Sequence, residues 1–320
     1  MDKPYVIGID LGGTTTKFGI VDRNANIKFG EPFDTLTYAN AEDYINDLGK
    51  AVNNLIEKNN LKDQINGIGI GVPNGNRNDG TVKDAANIPW TKGVLVPVTA
   101  LLGELTGLPC KLDNDANVAL MGEMTYGAAK DLKDFIMLMM GTGLGGGIFS
   151  NGQLVAGHNG FAGELGHIRV VRENGRRCGC GRYGCLETYA SATGVAFTAR
   201  ELLLLQPERD SLLRKIVDSP ITSFNVYEAA CEGDELAIEV FNFTGRILGE
   251  AICDFIAFSD PETVILSGGL AAAKDFLQKP LEKAIDDNVC FVYKGKTKIQ
   301  FSQLKGEKAA ILGASALAWD

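Results

Sequence analysis

The sequence predicts an α/β protein of two lobes. A chain of 320 residues is longer than one small core organises, so two units of ordinary domain size are expected. Strand-like apolar runs alternate with helix-spaced ones, which predicts sheets covered on both faces. A strand, a glycine-rich turn and a returning strand occur twice, which suggests that the two lobes share one plan.

In chain order, Tyr5 to Asp10 is a continuous apolar run and reads as a buried strand. The turn Leu11-Gly12-Gly13-Thr14 follows, then a second strand over Thr16 to Val21. Apolar residues Tyr44, Leu48, Val52 and Leu55 at helical spacing predict a helix over 41–59, leading to a strand over 67–72 that Pro73 stops. A helix over 98–106 ends at Gly107. Cys110 to Leu112 is a short strand, and a helix running to Tyr126 begins near Asn114 and Asp115, both good cap residues. Phe135 to Met140 turns through Gly141-Thr142-Gly143 and returns along Gly146 to Phe149, repeating the first pattern. A long helix over 236–258, a strand over 262–267 and a helix over 271–284, opened by Gly268-Gly269, complete the second half.

Composition narrows the function. A hydrophobic share of 45% and a charged share of 22% fit a globular chain in water. The net charge of −9 argues against nucleic acid as the main partner, since a polyanion needs a basic surface. A nucleotide is still compatible, because backbone amides and a metal ion supply local positive potential. No apolar signal core follows Met1, and no run approaches the ~20 residues of a membrane span. Three of the seven cysteines crowd into Cys178–Cys185. That clustering predicts a metal site in a reducing compartment, with the cytoplasm as the expected location.

Five motifs carry chemistry. Asp10-Leu11-Gly12-Gly13-Thr14-Thr15-Thr16-Lys17 puts a carboxylate at a strand end before glycines that let amides approach an anion. This suits a Mg-phosphate site, although a plain hairpin turn has the same pattern. Gly141, Gly143 and Gly146 match a dinucleotide fingerprint. That fingerprint needs a helix after the turn, and here a strand continues, so a second phosphate-binding hairpin around Gly141-Thr142-Gly143 is the better account. Asp113-Asn114-Asp115 stands at a strand–helix junction, where a carboxylate could take a proton from an attacking hydroxyl or merely cap the helix. His167 with Cys178, Cys180 and Cys185 forms a Cys₃His set, which predicts a structural zinc with no open position. Glu164, His167 and Glu187 flank that loop, and carboxylates accept paired hydrogen bonds from vicinal sugar hydroxyls.

Together these residues resemble the ROK family of sugar kinases and repressors, within the hexokinase–actin superfamily. The resemblance also rests on Gly71-Val72-Pro73, Asn87-Ile88-Pro89-Trp90, the E-x-G-H run ending at His167 and Ser267-Gly268-Gly269. It implies a two-lobed actin-like ATPase (ribonuclease H-like) fold with a cleft between lobes. Residues 1–115 plus 305–320 would form the smaller lobe, and 116–304 the larger lobe with the zinc loop. The implied activity is a hexose kinase using ATP and Mg²⁺, with Asp115 as base and glucose as the expected sugar; an N-acetylhexosamine or fructose kinase is the rival. Asn114, Glu164, His167, Glu187 and Gly75 would contact sugar. Asp10, Gly12, Gly13, Thr14, Thr15, Lys17, Gly141, Thr142 and Gly143 would hold the ATP phosphates and Mg²⁺, and Gly268 and Gly269 would lie near the adenosine. Asn74 departs from the family pattern, which has glycine after this proline. The family's repressors carry an N-terminal helix-turn-helix, for which the strand starting at Tyr5 leaves no room. The resemblance further implies a homodimer or higher oligomer.

Overall fold

The computed structural model describes residues 3–85, 87–217, 219–304 and 307–319; residues 305, 306 and 320 of the expected C-terminal segment fall outside these. The chain divides into two compact units, Met1–Asp131 with Gln303–Asp320, and Leu132–Ser302.

The first unit is built on strands β1 (Tyr5–Leu11), β2 (Thr15–Asp22), β3 (Ile27–Phe29), β4 (Phe33–Asp34), β5 (Ile65–Gly71) and, beyond the short hairpin β6 (Gly75–Asn76) and β7 (Thr81–Val82), β8 (Cys110–Asp113). Its sheet runs β3-β2-β1-β5-β8, with β4 also paired to β2. The first three of these strands are antiparallel, and β5 and β8 extend the sheet in parallel from β1. Side chains alternate across β1: Ile7, Ile9 and Leu11 join Tyr44, Leu48 and Val52 of helix α1 (Ala41–Lys58) in one core, while Val6 packs with Ile311 and Leu312 on the other face. Asn40 caps α1 by accepting from the Asp43 amide. Helix α2 (Val98–Thr106) ends, as the sequence predicts, at Gly107 in the left-handed conformation.

Helices α3 (Asp115–Tyr126) and, after the second unit, the C-terminal Glu307–Ala316 complete the first unit. The C-terminal helix lies very close to the sheet: a methyl added at Gly69 would stand 1.8 Å from the Ala314 carbonyl oxygen. On its other side it receives α3, where Val118 packs with Ala314 and Leu317. This contact places α3 in the first unit. The boundary therefore lies at Asp131 and not at the expected 115, because α3 buries its apolar residues against a helix far away in sequence.

The second unit repeats the plan. Strands β9 (Phe135–Met140), β10 (Leu144–Ser150), β11 (Gln153–Leu154), β12 (Thr263–Ser267) and β13 (Lys298–Phe301) run in the order β11-β10-β9-β12-β13. Again an antiparallel trio is extended by two parallel strands. Helices α4 (Glu187–Ala190), α5 (Ala192–Leu205), α6 (Ser223–Cys231), α7 (Glu235–Ser259) and α8 (Lys274–Asn288) surround this sheet, with the C-terminal helix numbered α9. The centre of its core is α7, whose Leu236, Val240, Phe241, Leu248 and Ile252 are fully buried. No helix among the described residues is long and apolar enough to cross a membrane.

Candidate functional site

In the first unit, Asp10 sits near the end of β1, opposite Lys17 of β2 and beside Gly71 of β5. The turn through Gly12, Gly13 and Thr14 follows, with Thr15 opening β2. The turn is braced from behind. Thr35 donates its amide to the Thr14 carbonyl at 2.8 Å, and the buried Thr16 hydroxyl bonds to Thr35 Oγ1 at 3.0 Å and Tyr44 Oη at 2.6 Å. Trp90 stacks on Tyr44 with 4.6 Å between ring centroids and donates its indole N–H to the Thr35 carbonyl. Thr16 thus turns inward while the rest of the motif stays at the turn. This supporting network was not among the predicted site residues; the apolar run around Tyr44 and the Asn87–Trp90 motif were its only traces in the sequence.

The strand–helix junction divides its labour among three residues. Asp113 is buried and accepts from the Asn114 amide, the Asn117 side chain and Arg77. Asn114 caps α3, accepting from the Asn117 amide at 2.7 Å. Asp115, the first helical residue, takes only the Ala116 amide at 3.0 Å among side chain–backbone bonds to other residues, so capping does not consume it. Its surface is open to solvent, yet the protein packed around it pushes its carboxyl above the usual range, against the opposing pull of backbone amides. Asp10 is pushed up to about 6, first by burial and then by the charge of Asp115, with Lys17 pulling the other way. The two carboxylates therefore share one neighbourhood.

Gly75 is buried, with its amide bonded to the Val72 carbonyl. It packs behind Asp113 rather than presenting an open contact. Asn74, where the family pattern has glycine, adopts φ +56°. Asparagine tolerates that left-handed conformation, and its side chain here bonds to the Asp84 carbonyl.

In the second unit, the hairpin between β9 and β10 is closed by the Gly141 amide on the Gly143 carbonyl at 3.0 Å. Its carbonyls at Gly141 and Thr142 accept from Ala192 and the Thr193 hydroxyl at the start of α5. Gly268 lies against the backbone of Met140, at the end of the same hairpin, so Gly268 and Gly269 adjoin Gly141. Glu187 Oε2 accepts from the Leu144 amide at 3.1 Å, and its Oε1 lies 3.4 Å from Cys178 Sγ. It thereby ties the hairpin to the cysteine loop, a link that residue type alone did not show.

The four predicted metal ligands converge. One donor atom from each of His167, Cys178, Cys180 and Cys185 lies within 4.8 Å of all the others. His167 Nδ1 stands 3.6 Å from Cys178 Sγ, and Cys180 Sγ stands 3.7 Å from Cys185 Sγ. Tetrahedral zinc with Zn–S near 2.3 Å and Zn–N near 2.0–2.1 Å requires ligand separations of about 3.6 Å for S–N and about 3.8 Å for S–S. The donor set therefore fits zinc in both chemistry and spacing. Gly184 closes the loop at φ +80°, where any side chain would drive into the Val171 carbonyl. With Nδ1 toward the thiols, His167 turns Nε2 toward Glu164 Oε2, 3.9 Å away. Glu164 and His167 line an open depression of about 620 Å³ together with Ile168, Arg169, Arg172 and Arg182.

The repeated sheet order, the paired glycine hairpins and the Cys₃His loop define an actin-like ATPase of the sugar-kinase kind. The profile of the ROK family matches residues 6–320, and the chain belongs to that family. It is 34% identical to the glucokinase of Thermotoga maritima over 99% of this chain and 98% of that protein. Among solved structures, a ROK family glucokinase from Streptomyces griseus in complex with glucose and AMPPNP matches at 32% identity and TM-score 0.78, covering 98% of each chain. A ROK family transcriptional regulator homologous to the E. coli MLC protein matches at 26% identity and TM-score 0.86, covering 98% of this chain and 77% of that one.

Proposed function

We propose that this ROK-family sugar kinase is a glucokinase, transferring the γ-phosphoryl group of Mg-ATP to the 6-hydroxyl of glucose. The observation that carries the reading is the division of roles at the start of α3. Asn114 caps the helix and Asp113 holds the junction, which leaves the Asp115 carboxylate at a helix N-terminus with solvent access. Its raised pKa makes it a better proton acceptor than an ordinary carboxylate while the helix dipole keeps it ionised.

In this mechanism Asp115 takes the proton of the 6-hydroxyl as the sugar oxygen bonds to the γ-phosphorus. The bond from that phosphorus to the β,γ-bridging oxygen breaks, and ADP leaves with the electron pair. Asp10 would hold the Mg²⁺ of Mg-ATP, which would offset charge on the phosphates. Amides of the turns at Gly12–Thr14 and Gly141–Gly143 receive the phosphate charge, with Lys17 near the first turn and Gly268-Gly269 on the nucleoside side. Glu164, His167 and Glu187 bind sugar hydroxyls. Glu187 retains lone pairs for this beyond its bond to Leu144, and Asn114 has an amide NH₂ that the cap does not use. Zinc, when bound by His167, Cys178, Cys180 and Cys185, supplies a fixed geometry for that loop. The glucokinase relatives support glucose over an N-acetylhexosamine or fructose.

Phosphorus NMR of the product formed from glucose and Mg-ATP tests the reading. Glucose 6-phosphate is the expected product; a 1-phosphate, or ATP hydrolysis without sugar phosphorylation, would contradict it.

A further inference from the structure

We propose that Arg182 is the outer-shell cation of the Cys₃His centre, offsetting its negative charge and holding His167 in the orientation that serves metal and sugar together. The inference rests on the reading of His167, Cys178, Cys180 and Cys185 as zinc ligands. Three thiolates on a dication leave one uncompensated negative charge, and outer-shell groups that answer such a charge tune the site. Arg182 is placed for this. Its guanidinium lies within electrostatic reach of Cys180, Cys185 and Cys178.

It also reaches the fourth ligand. Arg182 Nη2 donates to the His167 carbonyl at 2.7 Å, while the Arg182 carbonyl accepts from the Cys178 amide at 2.8 Å. One residue thus touches the loop on both sides of the metal set. The bond to its carbonyl anchors the backbone that carries the His167 ring, which stands with Nδ1 on the thiol side and Nε2 toward Glu164. The neighbouring arginines do other work: Arg169 bonds to the carbonyls of Tyr183 and Arg172, and the Arg172 guanidinium makes no hydrogen bond among the described residues.

The test is zinc affinity of the full chain, by competition with a chromophoric chelator, at low and high ionic strength. Arg182→Met is expected to weaken zinc binding about tenfold, the lower end of what outer-shell changes cost, because Arg182 is exposed. Arg182→Lys keeps the charge without the planar fork and should lose less. Arg172→Met should match the wild type. The deficit of Arg182→Met should shrink at about 1 M salt, where the Debye length falls to about 3 Å; a merely structural role would leave it unchanged. Wild-type affinity in Arg182→Met at low salt, or a deficit indifferent to salt, would overturn the inference. Should Arg182→Met fail to fold, Arg182→Gln, which also removes the charge, and the salt dependence of its deficit carry the same decision. A wild-type chain that takes no zinc would overturn the metal reading itself, and this inference with it.

Discussion

Asp10→Asn should make the ligand-free protein more stable at neutral pH while abolishing its Mg-ATP turnover. Asp10 titrates near 6 in the folded protein against an ordinary value of 3.8. A carboxyl raised in this way is harder to ionise in the folded state than in the unfolded one. Below about pH 3.8 it is protonated in both states and costs nothing. Between about 3.8 and 6 the unfolded chain ionises first, and the penalty grows. Above about 6 the folded state bears all of it. At about 1.36 kcal/mol per pKa unit the cost is about 3 kcal/mol, and asparagine, which mimics the protonated form, removes it. For a unit of this size that corresponds to a rise of roughly 6–12 °C in Tm. Thermal denaturation of wild type and Asp10→Asn at pH 7.5 and at pH 3.5, without nucleotide or metal, measures it. A gain at pH 7.5 that vanishes at pH 3.5 is expected. No gain at neutral pH, or the same gain at both, would refute the claim that burial and Asp115 hold Asp10 in a strained, metal-ready state.

Asp115→Asn should lower kcat by about 10²–10⁴-fold with little change in KM for glucose, as loss of a general base does; near-normal steady-state turnover would remove Asp115 from that role. Gly69→Ala should destabilise the protein by about 3 kcal/mol, read as a fall in the denaturation midpoint, because the new methyl would stand 1.8 Å from the Ala314 carbonyl and α9 must retreat. Elemental analysis should find about one zinc per chain in the wild type. Cys178→Ser should lose that zinc and raise KM for glucose more than KM for ATP; a zinc-free wild type with full activity would contradict the metal assignment.

What the sequence revealed followed from signals that are local. The helix over 41–58 was legible because its apolar residues keep one face, and α2 because Gly107 stops it. The shared plan of the two units was legible from two strand–turn–strand runs, and both sheets have the same strand order. The Cys/His set was legible because thiolate and imidazole ligands cluster in few other circumstances. The unit boundary was not, since it depends on α3 meeting α9 across most of the chain. Helix α5 also escaped: Phe197, Leu202, Leu204 and Leu205 face more than one direction, and no single stripe marks them. Within the site, residue type could not separate a capping Asn114 from a free Asp115, or show that Thr16 turns inward to Tyr44, because each outcome depends on what packs behind it. Nor could it show that the Gly75 backbone packs behind Asp113 while Asn74 takes the left-handed turn.

Sugar-dependent ADP release, measured in one coupled assay over glucose, N-acetylglucosamine, N-acetylmannosamine, mannose and fructose, bears most directly on the assignment. Glucose should give the highest kcat/KM, and Asp115→Asn should reduce the signal toward background for every sugar. Preference for an N-acetylhexosamine, or release of ADP that ignores both the sugar and Asp115, would contradict it.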